Sequence, residues 1–109
     1  MTARVVIRRR ADRDLEDRGD FLAQSSARTA RRFYQAARET FEQLAAMPGL
    51  GGLWESDRSE LAGLRVLAIQ GFASDLIFYR PLEGEDGIEV VRVLHASRDI
   101  EGILEGEPS

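Results

Sequence analysis

The chain holds one histidine, His95, and neither cysteine nor lysine among its 109 residues. Proton transfer near neutrality therefore falls to His95, and anion binding to arginine, which supplies all fifteen basic side chains. His95 closes an apolar run ahead of Ser97-Arg98-Asp99, where an imidazole either titrates near neutrality or ties the strand end to the segment after it. Arg65 stands between Leu64 and Val66. An arginine there is either a planar fork for phosphate or carboxylate, or a structural ion pair whose stem lies along a sheet. Tyr79 follows Leu76-Ile77-Phe78, a place where a tyrosine either buries its ring and hydrogen-bonds its hydroxyl or handles a proton.

Composition narrows the chemistry further. Without cysteine there is no disulfide framework, and one histidine plus carboxylates makes a poor structural zinc site, so neither metal nor cofactor is expected and reducing cytoplasm is the expected compartment. The apolar run Val5-Val6-Ile7 is far shorter than a membrane span or signal peptide and reads as a strand. Net charge is −4, but residues 1 to 47 carry ten arginines against seven acids and residues 48 to 109 five against twelve. Nucleic-acid binding draws on a continuous basic surface, so this two-sided charge favours a protein partner and no direct nucleic acid contact is expected.

The elements that must position these residues follow from periodicity. Arg4 to Arg9 reads as a short strand, expected to be covered on both faces. From Ala11 to Gln24 a helix is indicated by Ala11, Leu15, Phe21 and Leu22, but Arg18 and Gly19 fall where the next apolar residue belongs, and fraying is expected there. Ser25-Ser26 offers an N-cap for a second helix from Ala27 to Met47, striped by Ala30, Phe33, Ala37, Phe41 and Leu44, with Tyr34 and Ala45 widening the stripe. Pro48-Gly49 stops it. The glycine-rich stretch to Ala62 reads as a crossing loop pinned by Trp54. Strands are then expected at Leu64 to Ile69, Asp75 to Arg80 and Ile88 to Leu94, joined by Gln70-Gly71 and by the turn-rich Pro81 to Gly87 as an antiparallel meander. Ser97 to Leu104 reads as a short final helix capped by Ser97 or Asp99, and Glu105 to Ser109 as a tail with nothing to bury. The expected class is α+β in the order β-α-α-β-β-β with an optional C-terminal helix, in one domain over 1 to 109 with its ordered core at about 4 to 104.

That order, with Asp14-Leu15, Phe41, Leu44, Pro48, Gly51, Leu64-Arg65, Leu76-Ile77-Phe78-Tyr79-Arg80 and Val93-Leu94-His95 ahead of Arg98-Asp99, resembles the RelE/ParE toxin superfamily almost end to end. The departure is Arg18-Gly19, where these toxins usually have bulky apolar residues. The resemblance implies the toxin of a type II toxin–antitoxin pair. It offers two activities, ribosome-dependent cleavage of mRNA by RelE-like members and non-catalytic inhibition of DNA gyrase by ParE-like members.

Under the nuclease alternative, Arg65 would clamp the phosphate with Arg80 or Arg92, and Tyr79 or His95 would move protons. Arg98-Asp99 would close the terminus as an ion pair. RelE-like sites commonly use lysines, which this chain lacks, and its acidic second half repels a polyanion. The expectation is thus a ParE-like gyrase inhibitor with no catalytic residue, neutralised by a ParD-like antitoxin in a hetero-oligomer. An antitoxin helix or strand would dock on the helix hairpin or a sheet edge, with Tyr34, Trp54 and Arg65 as candidate contacts. Phe33 and Phe41 border that surface but are expected to serve the core.

Overall fold

A computed structural model describes residues 3–107, apart from the side chain of Glu60. Its elements are β1 (Arg4–Ile7), α1 (Arg9–Ala23), α2 (Ala27–Ala46), β2 (Gly52–Leu53), β3 (Arg65–Ile69), β4 (Phe72–Pro81), β5 (Gly87–His95) and α3 (Ile100–Glu105), with 3-10 turns at Pro48–Leu50 and Ser59–Leu61. The strands form one mixed sheet in the order β1-β5-β4-β3-β2. The β3-β4-β5 meander is antiparallel, whereas β1 pairs in parallel with β5 from Arg4 opposite Gly87 to Ile7 opposite Val90. The architecture is the expected α+β one. Among the strands, sequence periodicity missed β2, two residues long and exposed, which cannot show an alternating pattern, and began β4 at Asp75 where it starts at Phe72.

Strand alternation divides the sheet into two apolar faces. Ile77, Tyr79, Ile88, Val90 and Val93 meet the helix hairpin through Leu15, Phe33, Ala37, Phe41 and Leu44. Phe78, Val91 and Leu94 meet Leu61, Leu64 and Leu104 on the other side, with Trp54, Ile100 and Ile103 packed around them. A bulge between Phe78 and Tyr79 shifts the register with β5, so that Phe78 faces Arg92 while Tyr79 faces Val90. Trp54 holds its loop as expected, its ring edge-on to Phe78 at 5.3 Å and its backbone N–H donating to the Leu64 carbonyl at 2.8 Å.

Helix ends follow capping chemistry. Ser26 Oγ accepts the Thr29 N–H at 3.1 Å at the start of α2, and Asp99 Oδ1 accepts the Gly102 N–H at 3.2 Å at the start of α3, which selects Asp99 over Ser97 as the cap. Thr40, buried within α2, donates to the Ala36 carbonyl at 2.7 Å and accepts the Gln70 N–H at 3.2 Å, tying α2 to the β3–β4 turn. That turn places Gly71 at φ +82°, where other residues are strained.

Three expectations are corrected. β1 is an edge strand with Arg4 and Ile7 exposed, because among the described residues no strand lies beyond it. α1 runs unbroken from Arg9 to Ala23 through the two residues that depart from the superfamily pattern. Gly19 is buried under the Tyr34 ring, which occupies the space a Cβ would need. Arg18 crosses to buried Asp75 on β4, with Nε 2.8 Å from Oδ1 as an ion pair and the aligned hydrogen bond running from Nη2 to Oδ2 at 3.4 Å. A small residue and a long paired one together do the packing that one bulky apolar residue would otherwise do. Finally, the segment after α3 has an anchor, since Glu107 accepts from Arg92 Nη1 at 3.3 Å; Pro108 and Ser109 lie outside the described residues.

Candidate functional site

The residues that the nuclease alternative nominates, Arg65, Tyr79, Arg80, Arg92 and His95, are distributed, not gathered. Arg65 and Tyr79 are direct cross-strand partners on β3 and β4, and both turn to the loop after α2. Tyr79, with none of its surface exposed, donates its hydroxyl proton to the Pro48 carbonyl at 2.6 Å and accepts the Gly51 N–H at 2.8 Å. Arg65 Nη1 donates to the Gly51 carbonyl at 2.6 Å. Burial pushes the Tyr79 phenol above its ordinary value, against the opposing pull of the Gly51 hydrogen bond and the Arg65 charge. Gly51 has to be small here, because an added Cβ would lie 2.5 Å from the Tyr79 hydroxyl. The cluster grips a backbone turn.

His95 lies at the other end of the meander, opposite Asp75. The four residue steps from Asp75 to Tyr79 along β4 amount to about 13 Å of strand. His95 Nδ1 accepts the Ser97 N–H at 3.1 Å and lies 2.8 Å from Ser97 Oγ, so the neutral ring carries its proton on Nε2. Arg80 is half-buried opposite Glu89 and engaged within the fold, on the face opposite that of Tyr79.

Arg92 is buried. Its Nε and Nη2 donate to Asp14 at 2.7 and 2.9 Å, and Nη1 reaches Glu107. The Asp14 hydrogen bond, outweighing the cost of burial, raises the Arg92 pKa above its ordinary value. The same Asp14 carboxylate accepts the Val93 N–H at 3.0 Å. β1 pairs with β5 only as far as Val90, so from there onward the β5 edge has no strand beside it and Asp14 supplies an acceptor from α1. Sequence reasoning missed this role. Asp14 and Arg92 are 78 residues apart, and the local signal is only a carboxylate on the inner side of a helix.

A mainly apolar groove lies elsewhere on the surface. Between the outer side of β1 and the helix hairpin runs an apolar groove of about 340 Å³, lined by Val5, Ile7, Leu15, Tyr34, Ala37 and Phe41 and flanked by Arg38 and Glu42. Tyr34 is 42% exposed, whereas Phe33 and Phe41 are buried in the core and Phe41 shows the groove only its margin. Burial, reinforced by Asp20, Glu16 and Asp12, raises the Tyr34 pKa. Trp54 and Arg65 stand instead near β2, at the far edge of the sheet, so the three candidate contacts do not share one surface.

A mixed sheet with a helix hairpin on one face, a short helix on the other and an apolar groove beside its free edge strand defines a small toxin of the RelE/ParE kind. The chain belongs to the ParE toxin family of type II toxin–antitoxin systems, parDE, matching it over residues 5–100. No curated relative matches the chain. Family membership implies an antitoxin partner. Among the described residues, no helix is long and apolar enough to cross a membrane.

Proposed function

We propose that this toxin inhibits DNA gyrase by binding it without catalysis, and that a ParD-like antitoxin neutralises it by filling the groove beside β1. The observation that carries the non-catalytic reading is the dispersal of the groups that the nuclease alternative requires, Arg65, Arg80, Arg92, Tyr79 and His95. Tyr79 spends its hydroxyl on Pro48 and Gly51, Arg92 is locked to Asp14, and His95 is about 13 Å of strand away from the Arg65–Tyr79 pair. Transition-state stabilisation of phosphoryl transfer needs cations and proton carriers within reach of one phosphate.

Two features support the antitoxin site. β1 presents an unpaired edge to which an extended segment can add, and the neighbouring groove accepts the apolar face of a helix that folds on binding. Tyr34 is the candidate contact that lies in this groove; Trp54 and Arg65 would serve a second contact at the β2 edge.

The test is induction of the chain alone in bacteria, following plasmid supercoiling beside the integrity of a translated mRNA. Lost supercoiling or trapped DNA breaks with intact mRNA is the expected result. Codon-placed mRNA cuts would overturn it.

A further inference from the structure

On the opposite flank of α1 from the antitoxin groove, a furrow of about 470 Å³ separates the helix from the β5 stretch that lacks a neighbouring strand. Its lining includes Arg10, Arg18, Phe21, His95 and Arg98. Arg10 also belongs to a second concavity, formed with Arg9 and Arg13. The acids in the furrow are largely spent. Asp14 is held by Arg92 and Asp75 by Arg18, which leaves Asp17 to face the arginines. Arg9, Arg10, Arg13 and Arg98 have no side-chain partner among the described residues.

This arrangement is costly to the folded chain. Arg9 and Arg10 precede Arg13 by four and three residues, so like charges share one side of the helix. They also crowd its N-terminal turn, where the helix dipole favours anions. An external anion would relieve both penalties. The chain's net charge of −4 does not forbid it, because screening confines each charge to about 8 Å in physiological salt and Asp12, Glu16 and Asp20 of α1 do not line the furrow.

Phe21 indicates which anion. Its ring is 60% exposed at the furrow, with the Arg18 guanidinium 5.3 Å from its centroid and that arginine fixed by Asp75. An aromatic platform about 18 Å along the helix from Arg9 suits a base stacked at one end of a strand whose phosphates run past the arginines. In a duplex the bases are already stacked and cannot reach the ring. His95 also lines the furrow, with its Nδ1 occupied by the Ser97 N–H.

We infer that the α1–β5 furrow binds single-stranded nucleic acid, with Arg9, Arg10, Arg13 and Arg98 on phosphates and Phe21 under a base. This site is separate from the antitoxin groove and does not depend on the gyrase reading.

Fluorescence anisotropy with the full chain, a labelled twelve-nucleotide oligothymidylate, a duplex of equal length and polyglutamate as competitor tests it. Log affinity should fall with log salt at a slope of about −3, as for roughly four neutralised phosphates on a single strand. Arg10→Gln with Arg13→Gln should weaken binding at least tenfold at low salt and flatten the slope by about 1.4. Phe21→Leu should weaken single-strand binding several-fold with the slope unchanged. All three positions are exposed, so the variants should fold. Equal or tighter duplex binding, a slope indifferent to the arginine pair, displacement by polyglutamate at lower charge concentration than by unlabelled oligonucleotide, or no binding at low salt would overturn the assignment.

Discussion

Replacing Tyr79 by phenylalanine removes one oxygen and keeps the buried ring, so it isolates what the hydroxyl does. In the native fold that oxygen donates to the Pro48 carbonyl and accepts the Gly51 N–H. Each bond contributes about 1 kcal/mol net, and the buried Gly51 N–H, left without a partner, adds a penalty of about 1–2 kcal/mol. The expected loss is about 3 kcal/mol, or roughly 13 °C in Tm for a domain of this size. A second measurement uses the composition. With no lysine and no cysteine, the two tyrosines are the only side chains that titrate between about pH 9 and 12. Burial raises Tyr79 above its ordinary value, so the folded state prefers the protonated phenol. Its contribution is complete below about pH 10, where the unfolded phenol ionises, and disappears as pH climbs through the raised folded value. Wild-type stability, measured by urea unfolding at successive pH values, should therefore decline above pH ~10. Tyr79→Phe should decline less, keeping only the Tyr34 share. A variant with wild-type Tm and the same alkaline decline would refute the hydroxyl's role in holding the loop.

Arg92→Met leaves the Asp14 carboxylate buried with the Val93 N–H as its remaining hydrogen bond, and should cost about 3–5 kcal/mol in chemical denaturation. Arg65→Ala removes one half-buried hydrogen bond to Gly51 and should cost about 1–2 kcal/mol; equal losses would contradict this ranking. Gly19→Ala should destabilise the native chain because the Tyr34 ring occupies the Cβ position, yet stabilise a Tyr34→Ala background by up to about 1 kcal/mol through helix propensity. A double-mutant cycle reads that reversal, and additive effects would exclude the contact. Ile7→Glu, on the exposed edge strand, should weaken antitoxin binding by at least tenfold in calorimetry while leaving thermal stability nearly unchanged.

The extent to which this fold was readable differs from element to element. α2 was legible nearly to the residue because Ala30, Phe33, Ala37, Phe41 and Leu44 repeat at helical spacing between a serine cap and Pro48-Gly49. The meander was legible because β-branched and aromatic runs alternate between two turn signals. α1 was harder to read, since its inner side is completed by Gly19 and Arg18, whose partners Tyr34 and Asp75 lie on other elements. The candidate site divides the same way. Tyr34 could be named from its helical stripe, but not the groove it shares with Val5 and Ile7, which exists only once β1 takes the edge of the sheet.

Sequence alone thus determined the class of fold, the order of its elements and the superfamily resemblance, because these rest on hydrophobic periodicity, caps and turns that act over a few residues. Tertiary structure decided which arginines are free. Arg92 and Arg18 are consumed by carboxylates 78 and 57 residues away, while Arg10 and Arg13 carry the same side chain and meet no partner among the described residues. The side chains are chemically identical, and what separates them is the distance to a buried carboxylate, which is settled only when the sheet closes against α1.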